Sequence, residues 1–246
     1  GLCMALGEHW RGAGQGAVFM LGMVVSTGIG GGLVLDGAPY DGRTGNAGHV
    51  GHMVVDVDGP PCSCGGRGCV EAIASGPNMA AWAREQGWVG PKNNDARELA
   101  DAAAAGDGIA IQAFRRGARA VAAMIASVGA VCDLDLVVPG GGVANAGPVL
   151  FDPLREALRD YAVLDFLADL RVLPAELGGE AGLVGAATLL GLVTTAFAQS
   201  APVVTLEKTV ITGSHIRQID TESALPVQVI TREEIEKSGV TTVEQL

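Results

Sequence analysis

Apolar positions along the 246-residue chain recur with helical spacing in some stretches and in short β-rich runs in others, and the changeovers mark the elements. The opening LCMALGEHWRGAG reads as the last turns of a helix stopped by Gly12 and Gly14, because glycine readily takes the left-handed cap conformation. A helix already in progress at residue 2 suggests a truncated start. Two β-rich runs follow, Ala17 to Val25 and Leu33 to Leu35, joined by the glycine turn STGIGGG and followed by a turn at Asp36-Gly37. They predict a hairpin. Helices are predicted over 72–87 and 96–105, and GIAIQAFRRGARAVAAMIASVGAVCD keeps helical spacing for about five turns. LDLVVPGGGVANAG then reads as a buried strand entering a triple-glycine turn, and PVLFDPLREALRDYA restarts a helix with Pro148 near its beginning. Strand, glycine turn and helix in that order belong to an α/β fold.

Near residue 192 the alanine-rich pattern gives way to threonine, valine, isoleucine and glutamate, which divides the chain into 1–192 and 193–246. The junction LLGLVTTAFAQSA has the form of a signal-peptide end with an A-x-A-like step at Ala196-Phe197-Ala198, or is an ordinary apolar terminal helix.

Composition narrows the function classes. Apolar residues make up 48% of the chain and glycines number 37, without a collagen period, as in a globular protein rich in tight turns. A formal charge of −11 opposes a phosphate backbone, so no nucleic-acid partner is expected. The nearest candidate span, Leu183 to Ala198, is interrupted by threonines and two glycines, and no spanning helix is expected in residues 1–192. The five cysteines, three of them clustered, suit a reducing compartment and a metal better than a secreted disulfide scaffold.

The densest chemistry is HMVVDVDGPPCSCGGRGCVE. Cys62, Cys64 and Cys69 with His52 supply the Cys₃His set that closes a tetrahedral, structural zinc site, and Gly65, Gly66 and Gly68 let the backbone fold around the ion. Cys-x-Cys is tighter than the usual finger spacing, which leaves free or disulfide-bonded thiols as alternatives. STGIGGG can cradle an anion through backbone N–H groups or be a plain hairpin turn. Gly140, Gly141 and Gly142 follow a buried strand where ligands of α/β folds bind, or serve close packing. Asn46, His49, His52 and Glu71 form a polar set of the kind that sugar hydroxyls need, or are satisfied structural residues.

Taken in order, VSTGIGGGLVLDG, GNAGHVGH, PCSCGGRGCVEAIASGP and LVVPGGGVANAG resemble the ROK family (repressor, open reading frame, kinase) over about residues 1 to 192, most closely its glucokinase-like bacterial sugar kinases. A histidine followed by CxCGxxGCxE is the most specific part. The resemblance implies an α/β, actin-like ATPase (ribonuclease H-like) fold of which this chain is the second lobe, with ATP between lobes and hexose beside the zinc loop. By motif match Thr27, Gly28, Gly30 and Gly31 face the ATP phosphates, and Gly141 and Gly142 the adenosine. His52 both binds zinc and meets the sugar, and Glu71 contacts another hydroxyl. The resemblance further implies structural zinc, Mg-ATP as co-substrate, a cytoplasmic location and a homo-oligomer when full length.

His49 stands where the family has the glutamate of its E-x-G-H motif, which leaves sugar preference open. The family's general base, an aspartate in an Asn-Asp pair, is expected upstream of Gly1, together with the first lobe. The expected activity is ATP-dependent phosphorylation of a hexose, glucose at its 6-OH, with this chain inactive by itself. The alternatives are a sugar-responsive ROK transcriptional regulator or, on the tail TVITGSHIRQIDTESALPVQVITREEIEKSGVTTVEQL alone, a fragment of a TonB-dependent outer-membrane receptor, whose plug-domain start the tail resembles. A chimeric or misassembled reading frame is the preferred origin of the join, and a natural tail is the other.

Overall fold

The computed structural model describes residues 1–90 and 96–197, without the side chains of 190–197. The described residues fall within the first of the two units into which the chain divides, Gly1–Ser200. The receptor-like tail and Ala198 of the A-x-A-like step lie outside the described residues.

The first unit is a five-stranded sheet of order β3-β2-β1-β4-β5 with helices on both faces. β1 (Met20–Val25), β4 (Leu136–Gly140) and β5 (Arg171–Val172) run parallel, while β2 (Ile29–Leu35) is antiparallel to both β1 and β3 (Ala38–Tyr40). Alternation along β1 explains the two layers. Leu21, Met23 and Val25 enter the core built on α5 (Gly108–Cys132), whereas Met20 and Val24 pack with α1 (Leu2–Arg11) on the other face. This sandwich is the actin-like ATPase architecture that the motifs implied.

α5 is 25 residues long, about seven turns rather than five. The Asp107 side chain starts it by accepting from the backbone N–H of Ile109 and Ala110, and Asp133 ends it in the left-handed conformation. The helix expected over 72–87 is two: α2 (Val70–Ala74) and α3 (Gly76–Glu85), broken at extended Ser75. Pro77 has no N–H to offer the Ile73 carbonyl, and the Arg116 guanidinium on α5 donates to that carbonyl instead, at 3.2 Å. α4 (Ala96–Ala104) and α6 (Pro148–Tyr161) lie as expected. β3 and β5, of three and two residues, are too short for periodicity to reveal. α7 (Ala181–Phe197) runs through residue 192, so the change of composition there falls inside a helix. Among the described residues no helix is long and apolar enough to cross a membrane.

α1 is locked by a buried carboxylate. Glu8, fully inaccessible to solvent, accepts from the backbone N–H of Ala13 and Glu176 through Oε2 and of Leu177 through Oε1, at 3.0, 3.1 and 2.8 Å. Glu8→Ala would leave these donors without their acceptor, and urea denaturation is expected to show a loss of about 3 kcal/mol or more. An unchanged midpoint would mean that water replaces the carboxylate without cost.

Candidate active site

Two polar regions meet at the turn between β1 and β2. The turn itself comprises only Ser26, Thr27 and Gly28, because pairing with β1 resumes at Ile29. Gly30, Gly31 and Gly32 are therefore strand residues, opposite Val24, Met23 and Gly22.

On one side, at the carboxyl ends of the parallel pair β1 and β4, lies a cleft of about 740 Å³. Thr27 and Gly142 line it, with Pro77 at the start of α3, Asp101 on α4 and Asn145 beyond β4. The chain leaves β4 in a tight bend: Gly141 has φ +93°, and a Cβ there would lie 2.7 Å from the Val25 carbonyl oxygen. Val143 N–H then donates to that same carbonyl. The start of α3 is fixed to the turn by the Gly76 N–H, which donates to the Ser26 carbonyl at 2.8 Å. This is the place where ligands of open α/β sheets bind.

On the other side, β3 pairs only with Leu33–Leu35, and the segment 48–52 covers the remaining end of β2. Gly31 N–H donates to the Gly48 carbonyl at 2.9 Å, and a Cβ on Gly51 would overlap the Ile29 carbonyl. Glu71, in the first turn of α2, accepts from the Ile29 N–H through Oε2 at 2.8 Å. Its own carbonyl accepts from Asn78 Nδ2 at 2.9 Å. Ile29 is thus gripped by Glu71 and by the turn bearing His49 and His52. His49 is exposed and its Nδ1 faces the Asn46 carbonyl at 3.0 Å, so in the neutral ring the proton is on Nδ1 and Nε2 is an acceptor.

The cysteines complete this side. Donor atoms of His52, Cys62, Cys64 and Cys69 all lie within 4.8 Å of one another. His52 Nδ1 is 3.7 Å from Cys62 Sγ, and Cys64 Sγ is 3.8 Å from Cys69 Sγ. Zinc–sulfur bonds of about 2.3 Å put tetrahedral sulfurs about 3.8 Å apart, and a sulfur and an imidazole nitrogen about 3.5–3.6 Å apart. A disulfide requires about 2.05 Å, and all five cysteines are free. As thiols Cys64 and Cys69 differ. Burial, reinforced by Cys62 and Cys64, pushes Cys69 up to about 12, while hydrogen bonding with the Gly66 backbone holds Cys64 below the ordinary thiol value. A divalent cation held there would bind all three as thiolates. The loop is shaped for this: Gly65 and Gly68 have φ of +88° and +68°, and a Cβ on Gly68 would overlap the Asp56 carbonyl.

The expected phosphate-facing residues thus separate. Thr27 lines the cleft, Gly28 lies beside Glu71, Gly30 is in β2 with open space on its Cβ side, and Gly31 lies under the 48–50 turn. Of the two adenosine candidates Gly142 lines the cleft and Gly141 makes the bend beneath it. Pro77, Asp101 and Asn145 were not anticipated; only Pro77, near the start of a helix after a serine and a glycine, carried a sequence signal.

Comparison with known proteins agrees with this geometry. Residues 2–191 match the ROK family. The chain is 38% identical over 197 residues to a glucokinase of Thermotoga maritima, covering 75% of this chain and 62% of the relative. It is 42% identical over 170 residues to an N-acetylmannosamine kinase of Citrobacter koseri, covering 69% and 56%. The chain therefore spans somewhat under two thirds of these relatives. A ROK glucokinase from Streptomyces griseus, solved with glucose and AMPPNP, superimposes with a TM-score of 0.69 at 34% identity, covering 76% of this chain and 65% of that one. A ROK transcriptional regulator homologous to the E. coli MLC protein does so at 0.69 and 25%, covering 81% and 53%. With its fold, its ordered motifs and the greater part of its length in agreement, this chain belongs to the ROK family.

Proposed function

We propose that residues 1–192 are the nucleotide- and sugar-facing lobe of an ATP-dependent hexose kinase acting in the cytoplasm. One observation carries this reading: Thr27 lines the large cleft, while Ile29, two residues on, is held by Glu71 and covered by the His49–His52 segment. Phosphoryl transfer is mostly positioning, and it needs the γ-phosphate and the accepting hydroxyl side by side. A turn with one end at each site supplies that.

In this reading Thr27 and Gly28 meet the phosphates of Mg-ATP and Gly142 the adenosine. The free Nε2 atoms of His49 and His52 and Oε1 of Glu71 face sugar hydroxyls. Zinc would be held by His52, Cys62, Cys64 and Cys69, and its chemistry there is to fix the loop and to orient the His52 ring. Glucose, attacking through its 6-OH, is the assigned acceptor; the similarity to the glucokinase supports it. The N-acetylmannosamine kinase likeness places a 2-acetamido sugar beside it in the assay.

Isothermal titration calorimetry of the 246-residue chain with Mg-AMPPNP is expected to show binding. A Cβ on Gly142 would come 3.3 Å from Ser26 Oγ, so Gly142→Val is expected to weaken it at least about tenfold. No binding by the unmodified chain would overturn the kinase reading in favour of the regulator. In a coupled assay with ATP and either sugar the 246-residue chain is expected to give no turnover, since motif matching finds no general-base aspartate among its residues. Measurable turnover would refute that expectation.

A further inference from the structure

We propose that Cys64 and Cys69 form a peroxide-sensitive pair, oxidised to a disulfide that expels the metal from the Cys₃His site. The proposal rests on the metal reading of that site. The four donors are unequal in access: Cys62 and Cys69 are 9% and 2% exposed, whereas Cys64 is open to solvent. A small oxidant therefore reaches one sulfur first. Cys69 Sγ lies 3.8 Å from Cys64 Sγ, about 1.8 Å beyond disulfide bonding distance.

The two cysteines also differ in freedom. Cys69 bridges to Val54 and caps α2, and the preceding Gly68 is wedged against the Asp56 carbonyl. Cys64 is followed by Gly65 and Gly66, both exposed; a Cβ on Gly65 would meet nothing, and one on Gly66 only ordinary contacts. Closure therefore moves Cys64 onto a stationary partner.

The oxidant is a hydroperoxide. The Cys64 thiolate attacks the O–O bond of H₂O₂ and gives a sulfenic acid with release of hydroxide. The Cys69 thiolate then attacks the Cys64 sulfur, forming the S–S bond and releasing a second hydroxide. The sulfurs lose two electrons, the peroxide gains two, and zinc departs as its hydrated ion. His52 and Cys62 remain, half of a closed tetrahedral set, and too few to retain it.

The test uses the zinc-loaded 246-residue chain with Cys3→Ser and Cys132→Ser, which leaves only the cluster thiols. One equivalent of hydrogen peroxide is expected to release the zinc to a chromogenic chelator and to remove two thiols. Trypsin cuts after Arg67, between the two cysteines, so a Cys64–Cys69 bond holds two tryptic peptides together, and fragmentation identifies the partner. Cys64→His, which keeps a metal-binding side chain, is expected to slow release at least about tenfold. Separate peptides containing a Cys62–Cys64 bond, sulfinic acids without a disulfide, or zinc retained under peroxide would each overturn the proposal. A starting protein without zinc overturns the metal reading itself, which elemental analysis establishes before any oxidant is added.

Discussion

Cys69→Ser is expected to empty the metal site. Removing outer partners of metal ligands typically weakens binding by about 10–100-fold, so loss of a thiolate ligand should exceed about a hundredfold. Elemental analysis after dialysis should show zinc near one equivalent in the unmodified chain and near background in the variant. The effect should spread, because Cys69 is the residue before α2, Val70 N–H donates to the Met53 carbonyl, and Glu71 is two residues on. Trypsin cleavage after exposed Arg67 should accelerate, as the loop loses the ion that closes it. Cys132→Ser, at the far end of α5, should change neither reading. A Cys69→Ser protein with full zinc would show that the cluster is a set of packed thiols and no metal centre.

The Cys₃His cluster was legible as a candidate metal site because ligand chemistry tolerates few substitutes. Three thiolates and an imidazole are required as residue types, and the structure brings all four within 4.8 Å. Glu71 was legible only by its place in the motif; its bond to the Ile29 N–H depends on the 71–76 segment crossing the β1–β2 turn, which no local pattern shows. The α4 wall of the cleft was invisible for a different reason. Ala100 and Ala104 line it by lacking bulk, and in an alanine-rich chain such residues carry no mark. The break at Ser75 was foreshadowed by Pro77, but the acceptor that Pro77 leaves open is filled by Arg116, some forty residues away in sequence.

The glycine run of β2 shows why composition misleads at a single position, and it yields the sharpest comparison. A residue without Cβ serves a phosphate cradle and a close helix equally well, so GIGGG did not reveal which glycine does which. Gly32 pairs with Gly22, and a Cβ on either would overlap α1 backbone, at Leu2 and Ala5 respectively. Backbone on both sides leaves no flexible side chain to yield. Gly32→Ala is therefore expected to push α1 off the sheet, to cost about 3 kcal/mol or more and to lower the melting temperature by roughly 10 °C. Gly30→Ala, two residues away, meets nothing and should leave the melting temperature within about 2 °C. The same pair then tests the phosphate assignment. If Gly30 faces the nucleotide, Gly30→Ala weakens Mg-AMPPNP binding at unchanged stability. Full affinity in that variant would take Gly30 out of the phosphate contacts, while Gly32 keeps its place as the notch in which α1 lies.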